Sequence, residues 1–220
     1  MIYDFHTHTF LSDGASSPIE LIRFAYAYGY GCIGISGHIS YSNLEKIIGP
    51  IKADCELAEK YWDIKAVPGA ELTNVPAGSI DGMAKKAKEC GAAYVIVHGE
   101  TIVEEVEKGT NMAAVSSKYV DLLAHPGLLK PEEAELAAEN GIFLEITSRA
   151  GHSLCNGRVV SAGRKAGARF LVNSDSHSHN DLYRGEFQRQ VALGSGLSQK
   201  EYEEIIKVNQ KKFLEKIGYS

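Results

Sequence analysis

Short apolar runs recur at Ile2–Phe5, Cys32–Ser36, Ile64–Val67, Ala93–Val97, Val120–Ala124, Ile142–Ile146 and Arg169–Asn173. Runs this short, with no strict polar alternation, are what strands covered on both faces look like, because neither face meets water. Between them, helical spacing predicts helices over Pro18–Tyr28, Asn43–Tyr61, Ser79–Cys90, Thr101–Lys108, Thr110–Ser117, Pro131–Glu139 and Gly157–Lys165. Gly31, Gly91, Gly141 and Gly167 fall where a helix hands over to a strand, the place for a left-handed residue that turns the chain back to the sheet. Ser198–Ile217 reads as a closing helix with a capping start. Alternating strands and helices predict an α/β chain of parallel units, and 220 residues are an ordinary length for one such barrel.

The polar residues that interrupt this pattern sit where the strands end. The first run leads into His6-Thr7-His8 and then Ser12-Asp13-Gly14; later runs lead to His38, Glu71, His98, His125, and Asp175-Ser176-His177. In a parallel barrel every C-terminal strand end faces one mouth, so residues scattered through the sequence converge there. Each has an ordinary reading by itself: Asp13 as a turn residue, His38, His98 and His125 as hydrogen-bonded core histidines. Glu71 is harder to place that way, because a buried carboxylate needs a cation. Together, imidazoles and carboxylates at successive strand ends point to zinc, iron or manganese, and nine donors exceed what one ion takes. Arg149 follows the sixth run and could bind an anion at the same mouth, with Arg158 and Arg184 as further basic residues to consider. His152 and His179 fall outside the pattern and read as surface or substrate-loop histidines.

Charge and cysteine usage narrow the partners. A formal net charge of −5 argues against coating nucleic acid or an anionic membrane, leaving a small substrate or, at most, short oligonucleotides. Cys32, Cys55, Cys90 and Cys155 form no C-x-x-C pair and read as reduced thiols. With no signal-like start and no apolar run near membrane-spanning length, a cytoplasmic location is expected.

The order of these motifs resembles the PHP (polymerase and histidinol phosphatase) superfamily across nearly the whole chain. The residues that carry the likeness are His6-Thr7-His8 with Ser12-Asp13-Gly14, Gly37-His38, Leu123-Ala124-His125-Pro126 and Ser174-Asp175-Ser176-His177, with Glu71 and His98 between them. Ser36-Gly37-His38 stands where the family often has Thr-Asp-His, and Asp13 where some members have histidine. The resemblance implies a single PHP domain over 1–220, built as a distorted seven-stranded (β/α)7 TIM-like barrel with two or three divalent ions. It assigns His6, His8, Glu71 and Asp175 to one metal, Glu71 with His98 and His125 to a second, and Asp13, His38 and His177 to a third. The implied activity is hydrolysis of the phosphate monoester of a small metabolite by metal-activated hydroxide, closest to histidinol-phosphate phosphatase. Arg149 would neutralise a phosphoryl oxygen, and His177 is a candidate proton donor. The alternatives are a phosphodiesterase or nuclease acting on nucleotides or short oligonucleotides, and a non-catalytic metal-binding domain. An amidohydrolase would call for a lysine where this chain has His98-Gly99-Glu100.

Overall fold

The strands all run parallel: β1 (Ile2–Asp4), β2 (Tyr30–Ile35), β3 (His38–Ile39), β4 (Lys65–Leu72), β5 (Tyr94–His98), β6 (Leu122–Ala124), β7 (Phe143–Thr147) and β8 (Phe170–Asn173). They are seen in a computed structural model that describes residues 1–219. Sheet order is β1-β2-β4-β5-β6-β7-β8, with β3 paired to β4. Strand β3 adds no new position around the sheet; it resumes β2 in the same register, Ile35 opposite Pro68 and His38 opposite Glu71. Pairing lapses between these points, after Pro68, which has no N–H to give. The ring nearly closes where the chain beyond β1 meets the chain beyond β8: Thr7 bridges Ser176, and the His8 N–H donates to the Ser176 carbonyl at 2.7 Å. The result is the nearly closed barrel of seven parallel strands that the strand count predicts.

Helices α1 (Pro18–Ala27), α2 (Leu44–Tyr61), α3 (Ile80–Glu89), α4 (Thr110–Ser116), α5 (Pro131–Glu139), α6 (Asn156–Ala166), α7 (Phe187–Gly194), α8 (Gln199–Glu204) and α9 (Gln210–Lys216) alternate with or follow the strands. Two expectations differ. The predicted helix over Thr101–Lys108 is an irregular loop. Gly109, at φ 96°, starts α4 instead, and the Glu100 carboxylate accepts from the N–H groups of Gly109 and Asn111 at 2.9 and 3.0 Å, which caps α4 and leaves the preceding residues as an excursion over the barrel mouth. Helix α7 lies in a stretch for which no element is predicted. The predicted closing helix is recovered as α8 and α9 joined by a π-helical turn over Ile205–Asn209, opened by a Ser198–Glu201 capping box.

An outer apolar layer lies between strands and helices, while a separate inner cluster fills the barrel. Tyr94 dominates the inner cluster. A Cβ on Gly34 or Gly69 would lie 2.1 or 2.2 Å from its ring or hydroxyl, so the two glycines make the room this side chain occupies. The Tyr94 hydroxyl donates to the Phe5 carbonyl at 2.7 Å. From below, α9 inserts Phe213, fully buried, with its ring 4.7 Å from Phe5, 5.2 Å from Phe143 and 5.6 Å from Tyr94. The Lys216 ammonium, one turn on, donates to the Gly141 carbonyl ahead of β7, which places α9 at the N-terminal end of the strands. With that end sealed, a small molecule meets the barrel at the opposite mouth. Among the described residues no helix is long and apolar enough to cross a membrane. Cys32, Cys55, Cys90 and Cys155 are all free thiols.

Candidate metal centre

The mouth begins with β1. Asp4 ends the strand fully buried, and its carboxylate accepts from the N–H groups of His6 (3.2 Å) and Ser174 (3.1 Å), tying the exits of β1 and β8 together. Burial pushes Asp4 up to about 7 against these hydrogen bonds. Beyond it His6 and His8, two residues apart on an extended segment, face inward, while Thr7 between them donates to the Gly34 carbonyl at 2.7 Å. Both imidazoles are buried and their ring centroids are 5.0 Å apart.

Glu71 lies inside β4, not beyond it, because the strand runs five residues further than the apolar pattern indicates, past Val67 to Leu72. Its carboxylate is fully buried and faces His38 Nε2 at 2.9 Å, His6 Nε2 at 3.3 Å, His8 Nε2 at 3.4 Å and His125 Nε2 at 3.9 Å. Asp175 approaches three of these histidines from just beyond β8, 3.2 Å from His8 Nε2, 3.6 Å from His6 Nε2 and 3.7 Å from His125 Nε2. His125 and Asp175 both have left-handed backbones, φ 27° and 53°. For residues other than glycine that conformation costs about 1–3 kcal/mol, and here it turns both side chains inward at the strand ends. Toward solvent, Asp13 lies 2.9 Å from His177 Nε2, 3.4 Å from His8 Nδ1 and 3.6 Å from His38 Nδ1. The nine residues singled out by sequence therefore gather at one mouth, deepest at His6 and Glu71 and most open at Asp13 and His38.

The sequence reading leaves out three neighbours. Glu145, in β7, is fully buried; it accepts from His6 Nδ1–H at 2.7 Å, from the His125 N–H at 3.1 Å and from the Asn173 amide at 3.0 Å. Its signal was a lone carboxylate within Phe-Leu-Glu-Ile-Thr, an apolar strand. His152, placed by sequence on the surface or a substrate loop, is buried and stacks on His125 with ring centroids 4.2 Å apart. Glu104, from the loop expected to be a helix, contacts His98 and His152. His179 stays out of the cluster and stacks on Phe24 at 4.1 Å. Arg149 is half-buried beyond β7, its N–H donating to the Thr147 hydroxyl, whereas Arg158 donates to the Leu129 carbonyl and Arg184 to the Tyr28 hydroxyl.

Hydrogen bonding fixes which ring nitrogens face the centre. His6 Nδ1 faces Glu145, His98 Nδ1 the Gly99 carbonyl and His177 Nδ1 the Asp175 carbonyl, so with Nδ1 as the donor the Nε2 of each ring is the atom that would face an ion. Both Glu71 oxygens, His6 Nε2, both His8 ring nitrogens and His125 Nδ1 are buried without a hydrogen-bond partner. Burial alone would lower His6, but Glu145, Glu71 and Asp175 outweigh it and hold its pKa well above the ordinary value; His8 is likewise raised to about 9, by Asp13 and Asp175, against burial. Burial would raise Glu71 and Asp175, yet the facing imidazoles hold both well below the usual carboxylate range. Buried carboxylates this numerous call for cationic charge, and orphaned imidazole and carboxylate atoms within reach of one another are what divalent metal supplies with partners. Four groups could hold an ion, each with ligand atoms within 4.8 Å of one another: His6, His8 and Asp175; His6, Glu71 and His125; His8, Asp13 and His38; and His98, His125 and His152.

Glu145→Gln is expected to weaken metal binding about 10–100-fold, since the amide carries no charge and one of its two positions cannot accept the bonds now made there. Metal content after dialysis against a buffered chelator would measure it.

The geometry defines a parallel β/α barrel with a polynuclear donor cluster at its C-terminal mouth. Over 89% of this chain and 94% of its own, the histidinol phosphate phosphatase of Lactococcus lactis, solved with zinc, L-histidinol and phosphate, superimposes with a TM-score of 0.61 at 15% identity, a likeness of fold. No family model matches the chain. Among sequence relatives, the uncharacterized protein MJ1295 of Methanocaldococcus jannaschii is 46% identical over 218 residues, 99% of this chain and 100% of its own. Ribonuclease P protein component 3 of Methanococcoides burtonii is 30% identical over 191 residues, 80% of this chain and 71% of its own. The chain belongs to the family that includes MJ1295 and, more distantly, ribonuclease P protein component 3.

Proposed function

We propose that this chain, as one PHP domain, is a divalent-metal-dependent phosphoesterase that hydrolyses a phosphate monoester of a small metabolite. The observation that carries this reading is the convergence of Glu71, His6, His8 and His125, buried and with unpartnered donor atoms, at the mouth of a barrel whose other end is sealed. His6, His8, Glu71 and Asp175 would hold one ion, Glu71 with His98 and His125 a second, and Asp13, His38 and His177 a third. Bound zinc, manganese or iron would supply Lewis-acid charge to the phosphoryl oxygens and lower the pKa of a water toward about 7. Glu145 sets the orientation of His6, and Asp4 that of the β1 and β8 exits. Arg149, which follows β7 and has no ion-pair partner among the described residues, would neutralise a remaining phosphoryl oxygen. In hydrolysis the bond from phosphorus to the leaving alkoxide breaks as the bond to the water oxygen forms, and the alkoxide takes a proton. His177 can give that proton only from Nε2, because its Nδ1 is tied to the Asp175 carbonyl. Holding an ion through Nε2 and donating from it exclude each other, so His177 serves as acid when the third position is empty and as ligand when it is filled.

A second reading, cleavage of phosphodiesters in nucleotides or short oligonucleotides, is favoured by two exposed rings on loops that follow strands at the mouth, Phe10 and Tyr41, which are 58% and 68% exposed and suited to stacking on bases. Kinship with ribonuclease P protein component 3 supports it as well. Metal-reconstituted protein should be assayed on histidinol phosphate, other small monoesters, nucleotides, short oligonucleotides and bis(p-nitrophenyl) phosphate. Turnover of a monoester above the diester is the expected result; preference for the diester would replace the first reading with the second. Tight metal binding with no turnover of either would leave the domain as a non-catalytic metal-binding module.

A further inference from the structure

We propose that His152 and Glu104 are further protein ligands of the ion shared by His98 and His125, giving that position a nearly complete shell of protein donors. The inference rests on the mouth being a metal centre, and adds residues that the strand-end pattern does not contain.

His152 reaches the site from the loop beyond β7, outside the order of strand-end ligands, yet its ring is as deep as theirs. The ligand atoms of His98, His125 and His152 lie within 4.8 Å of one another, and all three residues are buried. Its Nδ1 is 2.8 Å from the Thr101 hydroxyl, an acceptor for Nδ1–H, which leaves the Nε2 lone pair facing the cluster. His98 has the same arrangement, Nδ1–H donated to the Gly99 carbonyl and Nε2 directed inward. Glu104 then spans the two rings, one oxygen 3.1 Å from His98 Nε2 and the other 3.3 Å from His152 Nε2. With each Nδ1 engaged by its own oxygen partner, both Nε2 atoms and the half-exposed Glu104 carboxylate are turned toward one another. A divalent ion among the three groups satisfies all of them at once.

Thr101 and Glu104 both lie in the loop of residues 101–109, and Val103 of that loop sits over Gly151, the residue before His152: a Cβ on Gly151 would be 3.2 Å from it. Ion binding would therefore fasten two mouth loops to each other. Three imidazoles and a carboxylate, with Glu71 beside them, also form a closed set of the kind that retains metal, in contrast to the solvent-facing group of Asp13, His38 and His177. The position should accordingly be the slowest to lose its ion.

The test uses the full chain, stripped of metal and titrated with zinc alone or manganese alone against a competing chelator, comparing wild type with His152→Ala and Glu104→Gln. The expected result is that each variant keeps the wild-type circular dichroism while the most tightly held equivalent weakens, by about a hundredfold or more for His152→Ala. Hydrogen exchange in residues 101–108 should slow on metal addition in the wild type and not in the variants. His152→Asp, which restores an oxygen donor, should recover part of the affinity. Unchanged stoichiometry and affinity in both His152→Ala and Glu104→Gln would overturn the inference, and Glu104, on an exposed loop, keeps the test decisive if His152→Ala fails to fold. Loss of the equivalent in protein that turns over no phosphoester would leave this inference standing and overturn the proposed activity; turnover with all equivalents retained would do the reverse.

Discussion

Glu71→Gln is expected to remove at least one equivalent of bound metal and to cut phosphoester turnover by a thousandfold or more, about 4 kcal/mol of transition-state stabilisation. The reason is its position. Its carboxylate stands among His6, His8, His38 and His125, within 3.9 Å of a ring nitrogen of each; it shares His6, His8 and His125 with Asp175 and reaches His38 as well. Glutamine keeps the shape and loses the charge, and its N–H₂ end turns a donor toward rings whose lone pairs face the same point. Asp175 alone would then offset the charge of any ion held there. Elemental analysis of the purified variant and turnover with each divalent metal added back would measure the two effects separately. Metal content and turnover within twofold of wild type would show that Glu71 is not a ligand.

The second large effect is on stability. Phe213→Ala is expected to cost about 3–5 kcal/mol, the usual range for emptying a buried phenyl site, and to lower Tm by about 6–20 °C for a domain of this size. Phe213 is fully buried against Phe5, Tyr94 and Phe143, all three in the barrel interior, and none of them can swing into the space without leaving its own contacts. Tyr94 is the most constrained, with its ring over Gly34 and Gly69 and its hydroxyl bound to the Phe5 carbonyl. Thermal unfolding followed by circular dichroism would give the shift. Metal stoichiometry in the folded variant should stay at the wild-type value, because the plug and the metal centre lie at opposite ends of the barrel; a change below 2 °C would show that α9 does not seal it.

Much of the mouth was legible because a period in sequence becomes a place in space. A parallel barrel returns every strand exit to one end, so His6, His8, His38, His98, His125, Asp175 and His177 could be gathered without coordinates. Glu71 was legible as a residue of the mouth, although β4 continues through it. What escaped the pattern reached the mouth by another route. Glu145 lies within a strand, one of the apolar positions by register, and its role follows from His6 and His125 standing across from it. His152 and Glu104 come from loops, where no periodicity constrains a side chain. The loop at 101–108 looked helical by spacing, but Glu100 caps α4 beyond it, a contact between residues 9 and 11 positions apart.

The sequence by itself determined the alternation of parallel strands and helices, the residues that end those strands, and hence the chemistry available at the mouth, because burial and chain direction are written in local patterns. Only the tertiary structure decided the splitting of the second strand at Ser36-Gly37, the sealing of the barrel by Phe213, and the entry of Glu145, His152 and Glu104 among the strand-end donors. Those features depend on packing and on hydrogen bonds between segments distant in the chain, where the partner of each atom is fixed by the closed barrel and not by its neighbours in sequence.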